Sequence, residues 1–490
     1  MFDRTDLFLG GAWHDATGNA VLEVVSPSTE EVVGHVPLAT ESDVDRAVAA
    51  ARTAFDEGPW PRLSRAERIE PLRRLVTELD ARRELLTDLQ IDEMGCTRSF
   101  ALANAGAVSP FLEQMVRDAA SVPQRELRDG AVGKVLVSRD PVGVTAAITP
   151  WNAPVMVALT KIIPSLLMGC PIVLKPAPES PLSSYPLAEA IVASGIPAGV
   201  VSIVHGRVDI GAYLVSHPGV DIVTFTGSPV GGRAIAQACG ALLRPVVLEL
   251  GGKSASIVAE GVDMAPYLPA LIDGSMRNSG QMCISANRVL VHESQRDDLV
   301  AQIVDFVSAK KVGDPHDPDT YFGPVASQKQ RDIVEGFIAS GRDEGAKVVL
   351  GGGRPEGLDK GWFVEPTVFV NVDNAMRIAQ EEIFGPVLSV ISYHDEDEAI
   401  AIANDSQYGL GGAVFAPTVE QGLAIAARVV TGTCSVNGGP ASGGGGPFGG
   451  VKASGLGRER SREGLEHFTE LKSVSVPAGY ALTLDDEVTA

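Results

Sequence analysis

Apolar residues near the start of the chain recur first at strand-like and then at helix-like intervals. The first 40 residues predict short strands and turns. A helix is predicted to begin near Thr40, because apolar residues from Val44 to Phe55 lie at the spacing of one helical face. A second helix is predicted from Ser64, which has the spacing of a capping box with Glu67.

From about residue 132 onward, short apolar runs alternate with amphipathic segments, which is typical of βαβ units and a parallel sheet. The first set of runs is VTAAI, PIVLK, VVSIVHG, VDIVTFTGS and PVVLELGG. A second set follows Glu249 and comprises SASIVA, RVLVH, VVLGGG, GPVLSVISY, GGAVFA and TCSVNGG. The pattern predicts two α/β lobes that divide near residue 250.

Composition narrows the class of protein. The formal net charge of −22 disfavours nucleic acid and anionic lipid as partners. The five cysteines contain no CxxC pair, and the N-terminus lacks the apolar core of a signal peptide. The uncharged run from Pro141 to Thr160 contains several prolines and predicts a buried strand and turn rather than a membrane span. We therefore expect a cytoplasmic protein with no membrane partner.

A turn that suits a phosphate follows the run VDIVTF. Gly227 and Ser228 lie between this strand and a helix that is predicted to begin at Pro229. Free backbone N–H groups at such a turn, together with the helix dipole, favour a pyrophosphate. The motif is not GxGxxG, and an ordinary strand-to-helix turn is the alternative.

Two further strand ends carry polar side chains. The loop ITPWNAP presents Trp151 and Asn152 between prolines, and an amide held there can donate to a developing oxyanion. The alternative is a turn asparagine that bonds its own backbone. Lys175 ends the run IVLK, where ligands bind in open α/β sheets, although most lysines simply face solvent.

Glu249 and Cys283 are candidates for catalysis. Glu249 lies among apolar residues and glycines, so its pKa is expected to be raised towards that of a general base, unless it is only a hydrogen-bonded buried glutamate. Cys283 lies in the polar segment NSGQMCIS, where a thiolate could act as a nucleophile, whereas the other four cysteines are interpreted as inert core residues. The eight histidines form no metal-ligand spacing, so no metal site is predicted.

Together these segments resemble the aldehyde dehydrogenase superfamily over nearly the whole chain. The motifs TPWN, LELGGK, GQMC, EEIFGPV and PFGGVKASGLGRE occur in the family's order, and Glu249 precedes Cys283 by 34 positions. The resemblance implies that Cys283 is the nucleophile and Glu249 the general base. It also implies that Asn152 and the backbone N–H of Cys283 form the oxyanion hole.

The resemblance further implies a set of cofactor contacts. Lys175 would contact the adenosine ribose, Gly227 and Ser228 the pyrophosphate, Glu382 the nicotinamide ribose and Phe384 the nicotinamide, with Trp151 in the same set. Many members have a glutamate three residues after that lysine, where this chain has Pro178 followed by Glu179. NAD is therefore favoured, with NADP as the alternative.

The implied reaction is oxidation of an aldehyde to the acid through a cysteine hemithioacetal and a thioester that Glu249-activated water hydrolyses. A CoA-acylating relative and a catalytically silent binding or structural member are the alternatives, and both are disfavoured because Cys283 and Glu249 are present.

The implied fold is α/β and has three parts. These are a Rossmann-like NAD(P)-binding domain (1–122 and 141–250), an α/β catalytic domain (251–450) and a small β oligomerisation flap (123–140 and 466–480). The flap predicts a homodimer or homotetramer.

Overall fold

The computed structural model describes residues 1–438 and 445–482. The helices are α1 (Glu41–Asp56), α2 (Arg65–Ala81), α3 (Arg83–Met94), α4 (Arg98–Ala120), α5 (Pro154–Leu167), α6 (Ser184–Ala193), α7 (Val208–Ser216), α8 (Pro229–Ala241), α9 (Leu268–Met276), α10 (Arg296–Ser308), α11 (Gln328–Asp343), α12 (Arg377–Gln380), α13 (Glu396–Asn404), α14 (Val419–Ala426) and α15 (Ser461–Glu466).

The strands are β1 (Phe2–Asp3), β2 (Asp6–Leu9), β3 (Ala12–Asp15), β4 (Val21–Val25), β5 (Val32–Pro37), β6 (Arg125–Asp129), β7 (Lys134–Pro141), β8 (Thr145–Ile148), β9 (Ile172–Lys175), β10 (Val201–Ile203), β11 (Ile222–Thr226), β12 (Val246–Glu249), β13 (Ala255–Val258), β14 (Arg288–His292), β15 (Lys311–Val312), β16 (Thr320–Phe322), β17 (Lys347–Leu350), β18 (Thr367–Val370), β19 (Val387–Tyr393), β20 (Gly412–Phe415), β21 (Ser435–Val436), β22 (Gly455–Leu456) and β23 (Thr469–Val476).

Both helices predicted near the N-terminus form and are capped as their sequences indicate. The side chains of Thr40 and Ser64 each accept a hydrogen bond from the third helical residue, and Asp43 and Glu67 return it, which completes a capping box at each helix. The apolar face of α2 lies in the largest core cluster, where Leu72 and Leu75 are fully buried.

The first large sheet has eight strands in the order β22-β12-β11-β8-β9-β10-β2-β3. Its five central strands, β8 to β12, run parallel to one another. The chain adds β9 and β10 on one side of β8 and then β11 and β12 on the other. In open α/β sheets, such a change of direction leaves a ligand crevice at the carboxyl ends of the strands.

The second large sheet has seven strands in the order β17-β18-β19-β14-β13-β20-β21 and is parallel except for the edge strand β17. The chain crosses from the first sheet to the second between β12 and β13. The mixed α/β architecture expected from the sequence is therefore confirmed. The domain ranges stay a prediction, and residues 439–444 of the predicted catalytic domain lie outside the described residues.

A separate three-stranded sheet has the order β23-β7-β6. Strands β7 and β23 pair antiparallel along their whole length, from Thr469 opposite Pro141 to Val476 opposite Lys134. Most of β23 is exposed on both faces, and Leu471 is 62% exposed.

Two expectations from the sequence are wrong in part. The run from Pro141 to Thr160 forms β8 and a turn, but its last third begins α5, because Pro154 occupies the first helical position, where it is tolerated. Cys434 is half-buried rather than part of the core.

None of the helices in the described part of the chain is long and apolar enough to cross a membrane.

Candidate active site

The strand ends of the first sheet bring four sequence-predicted residues to one edge. Lys175 and Glu249 are the last residues of β9 and β12, and Asn152 and Gly227 follow β8 and β11 closely. Because these strands are parallel, their carboxyl ends meet at the same edge, which is the edge expected to bind a ligand.

The Asn152 amide joins this edge to the segment that carries Cys283. Its Nδ2 donates to the backbone carbonyl oxygen of Gln281 at 2.8 Å, and the backbone carbonyl oxygen of Asn152 accepts from Asn278 Nδ2 at 3.0 Å. The Asn152 side chain is buried, and a primary amide has two N–H donors. One donor therefore fixes the side chain, and Nδ2 also lies 4.0 Å from the Met282 sulfur, a weak acceptor that a ligand oxygen could replace.

The backbone leading to Cys283 is held in an unusual conformation. Asn278, Ser279 and Gly280 have φ of 54°, 54° and 74°, a left-handed region that costs energy for residues other than glycine. Ser279 Oγ donates to the Gly323 carbonyl at 2.7 Å. A Cβ on Gly280 would lie 2.0 Å from the carbonyl oxygen of Gly385, so only glycine fits there. These contacts fix the segment and therefore the position of Cys283.

Cys283 and Glu249 lie beside each other, close enough for the Glu249 carboxyl to act on the Cys283 thiol. Burial and the negative charge of Glu249 raise the pKa of the Cys283 thiol well above its usual range. Burial and the charge of Glu459 raise the pKa of Glu249 to about 8. Glu249 Oε1 has no hydrogen-bond partner among the described residues. The site thus pairs a thiol whose pKa is raised with a carboxyl group that can act as a general base.

A buried ion pair near Glu249 was not found from the sequence. Lys161 Nζ lies 2.5 Å from Glu459 Oε1, and the Lys161 side chain is fully buried. Both charges act on Glu249, since Lys161 lowers its pKa and Glu459 raises it. The signal for this pair is a lysine inside the apolar helix α5, because a buried charge is costly unless it is paired.

The other end of the crevice holds Lys175 and the turn after β11. The Lys175 amine is buried and donates to the carbonyl oxygens of Pro176 and Gly206, at 2.8 and 2.7 Å. Ser228 caps α8 by accepting a hydrogen bond from Gly231 N. The expectation of free N–H groups at this turn is wrong for Gly227, whose N–H donates to the Glu249 carbonyl at 3.0 Å because the pairing of β11 with β12 continues into the turn.

Glu382 and two aromatic residues belong to the same predicted set. Glu382 Oε1 accepts from Gly252 N at 3.1 Å, and burial raises the pKa of its carboxyl to about 7. The rings of Trp151 and Phe384 meet edge to face, with centroids 5.3 Å apart. Strand ends and contacts therefore group the sequence-predicted site residues near the carboxyl edge of the first sheet.

The turn after β11 has two features that suit the phosphates of a dinucleotide. The Gly227 turn is closed to any side chain, since a Cβ there would lie 2.5 Å from the Phe225 ring. It leads into the thirteen-residue helix α8, whose N-terminus favours phosphate. No group of three potential metal-ligating side chains occurs among residues 1–438 and 445–482.

Comparison with known proteins agrees with these features. The model of the "Aldehyde dehydrogenase family" matches residues 13–474. The geranial dehydrogenase of Castellaniella defragrans is 45% identical over 484 residues, which cover 96% of this chain and 98% of that protein. The crystal structure of a Mycobacterium tuberculosis aldehyde dehydrogenase complexed with NAD+ has a TM-score of 0.95 and 47% identity, and covers 98% of this chain and 100% of that one. The resemblance stated from the motifs is confirmed, and the chain belongs to the aldehyde dehydrogenase family.

Proposed function

We propose that Cys283, Glu249 and Asn152 carry out the reaction of this enzyme, which is the NAD(P)-dependent oxidation of an aldehyde to a carboxylic acid. The observation that carries the assignment is the thiol of Cys283 beside the Glu249 carboxyl, in a segment that Gln281 ties to the Asn152 amide. These three groups supply a nucleophile, a base and an oxyanion donor.

The first step needs the thiolate, which is the nucleophilic form of cysteine. The Cys283 thiol loses its proton to solvent, and its sulfur then bonds to the aldehyde carbon. The alkoxide that forms accepts hydrogen bonds from the second N–H of Asn152 and from the backbone N–H of Cys283. A donor of this kind is worth about 3–4 kcal/mol in comparable sites.

The residues proposed to hold the dinucleotide are Lys175 at its adenosine ribose, Gly227 and Ser228 at its pyrophosphate, and Glu382, Phe384 and Trp151 at its nicotinamide end. When bound, the dinucleotide accepts the hydride that leaves the carbonyl carbon. We assign most of this binding to a domain at residues 1–122 and 141–250. A catalytic domain at 251–450 would contribute Glu382, Phe384 and the nucleophile.

The second step hydrolyses the thioester on Cys283. Glu249 removes a proton from a water molecule, the hydroxide adds to the thioester carbon, and the thiolate leaves as the acid departs. Burial and the charge of Glu459 keep the pKa of Glu249 near 8, where a carboxylate is a much stronger base than an exposed glutamate.

The test compares two cysteines. Cys283→Ala should abolish NADH formation with a panel of aldehydes, and Cys434→Ala, which removes the other half-buried thiol, should leave it unchanged. Turnover that survives in Cys283→Ala would reject the assignment. Adding CoA tests the acylating alternative, which requires an acyl-CoA product in place of the free acid.

We propose an apolar aldehyde as the substrate. The surroundings of Asn152 and Cys283 are apolar, since Ala153, Val157 and Met282 pack in one cluster with Phe100. The relative from Castellaniella defragrans, whose name gives geranial as its substrate, supports this class. An aldehyde panel should give kcat/KM values that rise with chain length, and a preference for short polar aldehydes would contradict it.

We propose NAD rather than NADP as the preferred cofactor. The negative charges of Glu179 and Asp209 both act on the Lys175 amine. Lys175 is proposed to contact the adenosine ribose, so these carboxylates near it would repel a 2′-phosphate, although Pro178 occupies the usual glutamate position. The ratio of kcat/KM for NAD to that for NADP should fall in the double variant Glu179→Gln, Asp209→Asn, and an unchanged ratio would contradict the proposal.

We propose that the three-stranded sheet is an oligomerisation flap, comprising residues 123–140 and 466–480. Strand β23 lies at its edge, is eight residues long and exposes Leu471 and Val474, so it can pair with another copy. Light scattering should give a homodimer or homotetramer, and a mass near 51.2 kDa would reject it.

We also propose a cytoplasmic location. The five free cysteines are consistent with this location, and cell fractionation can test it.

A further inference from the structure

Arg460 is a half-buried cation that has no acidic partner in the part of the chain that the structure describes. The residue before it, Glu459, pairs with Lys161 instead. The Nε atom of Arg460 is buried and makes no hydrogen bond to any described residue. In a chain with a net charge of −22, an unpaired guanidinium is unexpected, and a partly buried charge is costly without a partner. The position therefore calls for a specific explanation.

The Arg460 guanidinium lies over the ring of Phe448, 4.8 Å from the ring centroid. Phe448 belongs to a small apolar cluster, and the Cys283 side chain packs against that cluster. The backbones of Phe448 and Glu459 exchange two hydrogen bonds, of 2.8 and 2.7 Å, which hold the start of the Arg460 side chain near this ring. Phe448 thus places a cation in the surroundings of Cys283.

The backbone of Arg460 has a conformation that is unfavourable for arginine. Its φ of 61° and ψ of 175° lie in a region that is essentially restricted to glycine. Its carbonyl oxygen accepts a hydrogen bond from Gly464 N at 2.9 Å, and a Cβ on Gly464 would lie 2.7 Å from the carbonyl carbon of Glu459. Close packing of α15 against this bend therefore maintains the strained conformation and fixes where the side chain begins.

The reaction turns a neutral aldehyde into a carboxylate, and the charges around Cys283 oppose that product. Burial, Glu249 and Glu382 raise the pKa of the Cys283 thiol, whereas Arg460 lowers it. The two glutamates would likewise repel a carboxylate that forms at Cys283. A guanidinium presents a planar set of N–H donors that matches a carboxylate, so Arg460 supplies the missing opposite charge.

We propose that Arg460, stacked on Phe448, binds the carboxylate of the product after the acid is released from Cys283. The inference rests on the proposed function, because it takes Cys283 as the residue that carries the acyl group. The carboxylate exchanges repulsion by Glu249 for charge-assisted hydrogen bonds from the guanidinium. The neutral aldehyde carries no charge that Arg460 could bind, so Arg460 distinguishes the product from the substrate.

The test compares two reagents of nearly equal size on Cys283, namely iodoacetate and iodoacetamide. In both, the cysteine sulfur bonds to the methylene carbon and iodide leaves, but only iodoacetate carries a carboxylate. Mass spectrometry of the peptide that contains Cys283 gives each rate at one fixed pH. Arg460→Met should lower the ratio of the iodoacetate rate to the iodoacetamide rate roughly tenfold, because a hydrogen bond between charged groups is lost. Arg460→Lys should keep most of the wild-type ratio.

Arg462→Met is the matched control, because Arg462 lies two positions later, is exposed and pairs with Glu466. It should leave the ratio unchanged. If Arg460 only favoured the thiolate, Arg460→Met would slow both reagents equally and the ratio would stay constant. That result would overturn the proposal, as would an equal loss in Arg462→Met.

A second measurement uses a product itself. Calorimetry with the NADH-bound enzyme should show that Arg460→Met weakens octanoate binding roughly tenfold and leaves octanamide binding unchanged. Equal binding of octanoate and octanamide by the wild type would overturn the proposal. A loss of NADH affinity in Arg460→Met would also overturn it, by assigning the guanidinium to the cofactor. Turnover by Cys283→Ala tests the proposed function separately, whereas an unchanged reagent ratio counts against Arg460 alone.

Discussion

Glu93 and Glu249 are both fully buried carboxyl groups whose pKa burial raises to about 8, yet they lie in different surroundings. Glu93, near the end of α3, accepts hydrogen bonds from Leu182 N at 2.6 Å and from Ser183 N at 3.3 Å, at the start of α6. Glu249 lies beside the Cys283 thiol and leaves Oε1 without a partner among the described residues. The same residue type is satisfied in one place and left unsatisfied in the other.

The difference separates a carboxyl group that holds the fold from one that reacts. Glu93 fixes the loop between β9 and α6, which follows Lys175, by satisfying N–H groups that would otherwise be buried without a partner. Glu249 Oε1 accepts no such backbone N–H among the described residues, and a free carboxylate oxygen is what a general base needs. A raised pKa alone therefore does not identify the base, whereas hydrogen bonding does.

The largest expected effect is on turnover in Glu249→Gln. An amide cannot accept the water proton, so hydrolysis of the thioester should slow and kcat should fall by roughly 10² to 10⁴-fold, the usual contribution of general base catalysis. Stopped-flow absorbance of NADH should show acylation before the enzyme stalls. Steady turnover equal to that of the wild type would remove Glu249 as the base.

Next in size is the loss of stability in Glu93→Ala. The variant leaves Leu182 N and Ser183 N without an acceptor and opens a cavity, which together should lower the free energy of unfolding by about 2–4 kcal/mol. Urea denaturation measures the loss, and acylation of Cys283 should persist below the melting temperature. Glu93→Gln keeps one carbonyl acceptor and should lose less. If Glu93→Ala were as stable as the wild type, the contrast between the two glutamates would fail.

The smallest effect is a gain in stability in Glu249→Gln. The folded-state pKa of Glu249, about 8, lies above the usual value of 4.5, so the folded protein binds this proton more tightly than the unfolded chain does. Wild-type stability therefore falls as the pH rises from about 4.5 to about 8. The uncharged variant should match the wild type near pH 4.5 and be more stable than the wild type at pH 9, where Glu249 of the wild type is ionised. Urea denaturation at both pH values checks this, and a less stable variant at pH 9 would contradict it.

Much of the site could be predicted from the sequence, because its residues lie at the ends of apolar strand runs. Lys175 and Glu249 end β9 and β12, and the order of the runs indicates a parallel sheet whose carboxyl ends meet. Strand β6 could not be predicted, since its sequence RELRD is polar and it is stabilised by pairing with β7. Helix α5 was missed because prolines obscured its start.

Local sequence patterns could not predict interactions between distant parts of the chain. Lys161 and Glu459 are 298 positions apart, and only the fold places them together beside Glu249. The contact between Asn152 and Gln281 spans 129 positions and fixes the oxyanion donor. Motifs identify the reacting groups, whereas the pKa of each group depends on burial and on neighbours that folding supplies.

The central claim is that Cys283 carries the acyl group and Glu249 releases it. The direct measurement is mass spectrometry of Glu249→Gln after mixing with NAD and one equivalent of decanal. The account predicts one acyl adduct per subunit, located on the peptide that contains Cys283, with one NADH formed for each adduct. An adduct on Cys434, or NADH formed without any adduct on Cys283, would contradict it.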